Sequence, residues 1–248
     1  MSAGYIEALG LAIVVGLSLG ALGSGGSIIT TPVLVYVAGI PPEVAVGMSL
    51  VIVGTTSLVG SLLQLRRGNL APKAALMFAA TGMVGSFIGS HGTHLLSSRT
   101  LMLLFSCTML VVGLVMLRGI PGLQKPASYS TPRCLLVGFG VGLLTGFLGV
   151  GGGFLIVPAL VWFGGLDSRL AAGTSLAVIA MNSSTGLLGQ LRFVRVDWIL
   201  LYGFLTFALI GMVVGITLSH RLPEARLRRI FATTVLAIGV AVGLENLL

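Results

Sequence analysis

The chain has 248 residues, of which 56% are hydrophobic and only 8% are charged. A soluble domain carries charge on roughly a quarter of its residues, so this composition excludes a soluble globular protein and indicates a polytopic membrane protein. The formal net charge of +8, from 14 Lys and Arg against 6 Asp and Glu, lies mainly between apolar runs, where positive charge sets topology. We therefore expect a lipid bilayer around the chain and no nucleic-acid partner.

Four apolar stretches occupy each half of the chain: 4–39, 44–65, 72–92 and 99–118, then 134–165, 170–191, 197–219 and 228–247. About 20 helical residues cross the hydrocarbon core, so the last three stretches of each half predict ordinary spans. The first stretch of each half is longer and is broken by glycines, at 23–26 and 149–153, with Pro32 or Pro158 shortly after. These breaks predict two helical pieces joined at the glycines.

The two halves form a tandem repeat at an offset of 126 residues. Matched pairs include Gly20 with Gly146, Gly23 with Gly149, Gly25 with Gly151, Gly26 with Gly152, Pro32 with Pro158, Ser49 with Ser175 and Gln64 with Gln190. We assign residues 1–118 to a first transmembrane repeat and 134–248 to a second. Residues 119–133 contain three prolines with Ser, Gln, Lys and Arg, which is typical of an exposed linker.

The distribution of Lys and Arg distinguishes two topologies. If each broken stretch crosses once, the halves are parallel and the two sides carry eight and six of the 14 cations. If each stretch doubles back, the halves are inverted, and only Arg99, Arg192 and Arg195 lie on one side. The positive-inside rule favours the second arrangement, with a cytoplasmic linker and both termini outside. A shallow re-entrant segment or a kinked single span is the alternative.

A helix that begins inside the membrane presents unpaired N–H groups and the positive end of its dipole, and glycines let an anion approach closely. The candidate backbone ligands are Gly25, Gly26 and Ser27 in one half and Gly151, Gly152 and Gly153 in the other, with Ser24 beside the first set. Inverted repeats would direct both ends toward one central site. The alternative is that these glycines only allow close helix packing.

Polar side chains inside the predicted spans supply further candidate donors. Ser49, Ser175 and Asn182 are neutral and can donate to oxyanion oxygens, although Ser and Thr also join helices or bond their own backbone. The six acidic residues lie near span ends, so a mid-membrane carboxylate proton relay is not expected. Cys107 and Cys134 make neither a disulfide framework nor a metal cluster, and we expect no metal and no cofactor.

The repeated motif resembles that of the sulfite exporter TauE/SafE family. It reads Gly-x-Leu-Gly-x-Gly-Gly-Gly/Ser and then Pro-x-Leu, followed by Ala-x-Gly-x-Ser-Leu at 45–50 and 171–176 and a Gln-Leu-Arg exit. The resemblance covers essentially the whole chain and departs at Ser27, where the second repeat has Gly153. It implies a small anionic substrate containing sulfur, such as sulfite, thiosulfate or an organosulfonate.

These observations together predict an all-α polytopic protein of the bacterial inner membrane that works as a secondary transporter or exporter of such anions. We expect alternating access by rocking of the two repeats, with H⁺ as a candidate coupled ion carried by the substrate itself. An anion channel is the alternative. An intramembrane Ser hydrolase using Ser24 with His91 or His94 is disfavoured, because Ser24 aligns with Val150 in the second repeat.

Overall fold

The computed structural model describes residues 3–23, 25–92, 97–118, 131–148, 153–190, 197–219 and 223–247. These residues form helices and short connections, and no strand occurs among them. Ser24, Gly151, Gly152, His94 and most of the linker lie outside the described ranges. The helices are α1 (Ala3–Leu22), α2 (Gly25–Pro32), which continues as a π-helical segment (Val33–Val37), α3 (Pro42–Arg66), α4 (Pro72–Gly92), α5 (Ser98–Arg118), α6 (Thr131–Leu148), α7 (Gly153–Trp162), α8 (Ser168–Gln190), α9 (Trp198–Ser219) and α10 (Glu224–Leu247).

The first apolar stretch folds into a helical hairpin. Helix α1 ends at Gly23, whose φ of +71° is readily adopted only by glycine and whose N–H donates to the Leu19 carbonyl over 2.8 Å. Helix α2 then returns along α1, because Gly26 packs on Leu19 while Val37 reaches Gly4 at the opposite end. The stretch therefore doubles back, as the charge count favours, and a kinked single span is wrong for this half.

Among the described residues, five helices are long and apolar enough to cross a membrane: Gly4–Leu22, Pro42–Arg66, Pro72–Gly92, Arg99–Arg118 and Trp198–Ser219. Large apolar side chains cover their outer surfaces, and similar side chains are exposed on other helices, such as Leu136 on α6. In water such a surface would drive aggregation, whereas lipid solvates it. The chain is therefore an integral membrane protein.

Glycines bring the first helix of each repeat against the fourth helix of the other. Helices α1 and α9 are in contact, as are α4 and α6, and a Cβ placed on the interface glycines would meet the backbone of the partner helix. The contacts that carry this are Gly16 with Ala208, Gly20 with Met212, Gly142 with Gly82, and Gly146 with Ser86. Gly85, Gly89, Gly211 and Gly215 likewise lie against the backbone of the partner helix, so these glycines are packing residues.

The hydrophobic core divides into three clusters that cut across the repeats. One cluster joins α1, α2, α3 and α9, and we call these helices the first bundle. Another joins α4, α6, α7 and α8, with Val53 of α3 at its edge, and these four helices form the second bundle. The third surrounds the α5–α10 pair and includes Ile28 of α2 and Leu148 of α6. Each bundle thus contains helices from both repeats.

Equivalent helices of the two repeats run antiparallel where they touch. On α3 and α8, Gly54 meets Ser183 while Gly60 meets Leu176. On α5 and α10, Gly113 meets Leu236 while the Arg99 side chain donates to the Asn246 carbonyl at the other end. In both pairs, residue numbers increase along one helix in the direction in which they decrease along its equivalent.

A hydrogen bond at the helix starts joins α1 to α9. The Tyr5 hydroxyl donates to Asp197 Oδ2 over 2.8 Å, and Asp197 Oδ1 accepts from the N–H groups of Ile199 and Leu200 at the start of α9. These bonds, the Tyr5 bond above all, lower the pKa of the Asp197 carboxyl from its ordinary value of 3.8. The contact supports the parallel packing of the two helices.

Replacing Gly16 by Ala should destabilise the protein by about 1–3 kcal/mol, because the new methyl group meets the Ala208 backbone. Gly10→Ala is the matched control on the same helix, since nothing lies within 4 Å of a Cβ there. That control should be neutral or stabilise by up to about 1 kcal/mol through helix propensity. Melting of both purified variants in detergent measures the difference, and equal melting temperatures would contradict the assigned contact.

The stabilisation that Asp197 contributes should depend on acid. Because the pKa is lowered in the folded state, this stabilisation is complete well above pH 3.8 and is lost as pH falls from there through the folded-state value. Tyr5→Phe should shrink the acid-dependent loss of melting temperature relative to the unsubstituted protein. Tyr202→Phe, which alters an exposed ring stacked on Trp198, is the control and should leave the pH profile unchanged.

Candidate functional site

The start of α2 is the first candidate anion site. Gly25, Gly26 and Ser27 form the first turn of this helix, at the positive end of its dipole. Gly26 also faces α1, and a Cβ there would lie 2.7 Å from Leu19 Cβ. Its small size is therefore needed for the hairpin itself, so loss of transport on enlarging Gly26 would not distinguish ligand contact from packing.

The turn of this hairpin is held by the opposite repeat. A Cβ on Gly23 would lie 2.6 Å from the Cα of Ala172 on α8, so the turn rests directly on that helix. The Ser175 hydroxyl lies 2.8 Å from the Gly23 carbonyl oxygen and 2.7 Å from that of Ala172, and its single proton is shared between them. Ser175 thus fastens the first hairpin to the second bundle.

The turn lies near one end of the bundle. Helix α8 begins at Ser168, so Ala172 and Ser175 belong to its first two turns. From Ser175 to Ser183, near the middle of α8, the axial rise is about 12 Å. The start of α2 therefore lies well away from the middle of the membrane-spanning region.

The counterpart start at α7 is described only from Gly153 onward, and the predicted ligands Gly151 and Gly152 lie outside the described residues. Helices α2 and α7 are in contact.

Ser49, the repeat equivalent of Ser175, is fully buried and donates to the Val46 carbonyl of its own helix over 2.8 Å. Ser27 is fully buried at the start of α2.

Asn182 lies in the interior, between α8 and α4. Its side chain is fully buried against Gly82, where a Cβ would lie 2.8 Å from both amide atoms. Neither Nδ2 nor Oδ1 has a hydrogen-bond partner among the described residues, although its backbone carbonyl accepts from Ser86. An unpaired buried amide is unusual in proteins, and the role of Asn182 as an anion ligand stays a prediction.

Two further unpaired hydroxyls lie on α3 and α8, on span serines that the sequence offers as possible donors but that were not among the predicted ligands. Ser57 on α3 and Ser183 on α8 are buried, and neither hydroxyl has a partner in the described part of the chain. The signal that could have found them is the repeat, since they match each other at the offset of 126 residues. Thr31 and Thr81 also have unpaired hydroxyl oxygens.

A pocket of about 290 Å³ opens at the end of the bundle where α3 and α5 begin and α10 ends. Its wall includes Tyr36, Arg99, Glu245 and Asn246. The Asn246 amide donates to the Tyr36 hydroxyl over 2.6 Å, and the Arg99 guanidinium donates to the Asn246 carbonyl over 2.7 Å. This pocket has both charge signs and lies at a helix-end surface.

The interior of the described bundle is electrically neutral. Its buried polar side chains are all Ser, Thr, Asn or Gln, and no charged side chain is buried among the described residues. No group of three His, Cys, Asp or Glu able to hold a metal ion occurs within the same ranges. The polar groups that these described interior residues offer to a ligand are therefore hydroxyl, amide and backbone groups.

Comparison with known proteins fits this architecture. The family model described as "Sulfite exporter TauE/SafE" matches residues 8–242. The chain belongs to the TauE/SafE family. A "Probable membrane transporter protein" of Xylella fastidiosa (strain Temecula1) is 35% identical to this TauE/SafE chain, covering 96% of this chain and 94% of the relative. The "Probable membrane transporter protein YunE" of Bacillus subtilis is 25% identical, covering 92% and 94%. No solved structure matches.

These findings make the protein a membrane transporter. The hydrolase alternative gains nothing from the geometry: the His91 ring nitrogen lies 2.9 Å from the Phe87 carbonyl of its own helix, and its proposed partner Ser24 lies outside the described residues. The names of the relatives specify no substrate.

Removing the Ser175 hydroxyl should loosen the hairpin turn. We expect Ser175→Ala to lose about 1 kcal/mol of stability and to transport more slowly, because its bond to Gly23 joins two bundles. Ser184→Ala is the matched control, since that hydroxyl bonds only the Ala180 carbonyl of the same helix in the described structure. Melting and flux should both distinguish the variants, and identical behaviour would show that Ser175 does not hold the turn.

Proposed function

We propose that this protein carries small sulfur-containing oxyanions, such as sulfite, thiosulfate or an organosulfonate, across the cytoplasmic membrane. The observation that carries the proposal is the start of α2 at Gly25–Gly26–Ser27, a Gly-rich helix N-terminus near one end of an apolar bundle. Its N–H groups and dipole favour an anion, and membership of a sulfite exporter family agrees with that charge. Gly151, Gly152 and Gly153 are the proposed equivalents in the second repeat, and Ser24, which precedes Gly25, is a further proposed ligand in the first.

The proposed topology is an inverted repeat of residues 1–118 and 134–248. Its support is the antiparallel packing of α3 on α8 and of α5 on α10, since equivalent helices of parallel repeats would point the same way. With five segments per repeat, 11 of the 14 Lys and Arg fall on the side of the linker 119–133. The positive-inside rule then assigns the linker to the cytoplasm and both termini to the outside.

The units that move in this proposal are the two bundles instead of the two repeats. Rocking of repeat against repeat, the expectation from sequence, would separate α1 from α9 and α4 from α6, where glycines bring the backbones together. Rocking of the first bundle against the second preserves both contacts. Within this scheme Ser175 couples the hairpin turn of one bundle to the other.

Proton coupling, where it occurs, is assigned to the substrate. No charged side chain is buried among the described residues, so no carboxylate there can relay a proton through the middle of the membrane. The second ionisation of sulfite lies near neutrality, and a protonated anion would carry H⁺ with it. An imposed pH gradient should therefore change sulfite flux and leave the flux of a strongly acidic sulfonate unaffected.

The decisive experiment is uptake of labelled sulfite by proteoliposomes that contain the purified protein. We expect saturable flux, competition by thiosulfate and sulfonates, and acceleration by unlabelled sulfite on the opposite side. Unsaturable flux without this acceleration would indicate an anion channel instead of a carrier. Protein-free liposomes are the control, and absence of flux for every sulfur anion tested would refute the substrate class.

A further inference from the structure

The crossing of α3 and α8 brings equivalent residues of the two repeats together. A Cβ on Gly54 would lie 3.0 Å from Ser183 Cβ, and Ser57 follows Gly54 by three residues on the same face of α3. Ser57 and Ser183 are repeat equivalents. Because α3 and α8 run antiparallel, the two serines lie on either side of the crossing point, near the middle of both helices.

The two hydroxyls differ from their neighbours in having no partner. On α3, the hydroxyls of Ser49, Thr56 and Ser61 each bond a carbonyl of their own helix. Those of Ser57 and Ser183 have no partner among the described residues, and the side chains are 0% and 1% exposed. A buried donor without an acceptor is costly, so this closed crossing would gain from an acceptor that enters it.

We propose that Ser57 and Ser183 form a paired oxyanion-binding site on the α3–α8 crossing, opened when the first and second bundles separate. The inference rests on the proposed function and adds a central site to it. Two symmetric hydroxyls donate to two oxygens of a sulfite or sulfonate group without adding charge. In this scheme the anion first reaches the start of α2, beside Ser175. That position lies about 12 Å nearer to one membrane face than Ser183 does.

The kinetic test compares two buried serines of α3. Ser57→Ala should raise KM for the transported anion about tenfold through loss of one donor to a charged group. Ser183→Ala should do the same, because the sites are equivalent, and neither change should lower the melting temperature, since each removes an unpaired hydroxyl. Ser61→Ala, which removes a hydroxyl bonded to the Leu58 carbonyl, should leave KM unchanged. Unchanged KM in both Ser57→Ala and Ser183→Ala overturns the site.

A second test measures whether the crossing opens. It does not require a transported anion. In a background of Cys107→Ser and Cys134→Ala, Ser57→Cys should react with N-ethylmaleimide in proteoliposomes. Ser106→Cys is the buried control, because Ser106 lies in the α5–α10 pair and donates to the Gly239 carbonyl. Equal, slow labelling of both thiols would mean that the crossing stays closed and would overturn the proposal.

The two tests separate this inference from the proposed function. Sulfite flux with unchanged KM in both alanine variants refutes the serine site and leaves the transporter intact. Absence of flux for all sulfur anions in the unsubstituted protein refutes both the proposed transport of these anions and their binding at the serine site, even if Ser57→Cys is labelled. Flux together with raised KM and fast labelling of Ser57→Cys supports the paired site.

Discussion

Close backbone contact between helices of different repeats is the constraint on which this structure depends. In lipid, apolar side chains gain little by burial against one another, so helices associate through close packing and hydrogen bonds. Glycines on α1, α4, α6 and α9 remove the side chains that would keep these helices apart. The consequence is an exchange: each bundle receives its first helix from one repeat and its glycine-packed partner from the other.

This exchange connects the hairpin turn to the α3–α8 crossing. The turn at Gly23 is part of the first bundle, yet it is bound by Ser175 on α8 of the second. Ser183 lies two turns further along α8 and meets α3 of the first bundle at Gly54. A displacement between the bundles must therefore alter the environment of the turn and of the crossing together. In the proposed alternating access, this links the start of α2 to the proposed serine site.

Sequence alone predicted much of the fold because the repeat and the apolar lengths are strong signals. The break in the first stretch followed from its glycines and Pro32, and its doubling back from the distribution of Lys and Arg. The helices α3, α4, α5 and α9 agree closely with the predicted stretches. The partners of each helix were not predictable, since glycine spacing identifies a face that can pack closely but does not name its partner. The same limit applied to Ser57 and Ser183: a hydroxyl bonded to its own helix and one without a partner look alike until the structure places them.

The neutral interior bears on how such a site would work. A buried arginine would bind an oxyanion strongly through paired charge-assisted bonds and would itself need a partner whenever the anion left. Hydroxyls and helix N–H groups provide weaker attraction and cost less when empty, so binding and release can both be fast. The described interior contains hydroxyls and amides and no buried charge, while Arg66 and Arg99 lie at helix ends. Cations at the ends can attract anions toward the bundle, while neutral donors inside let them pass without being trapped.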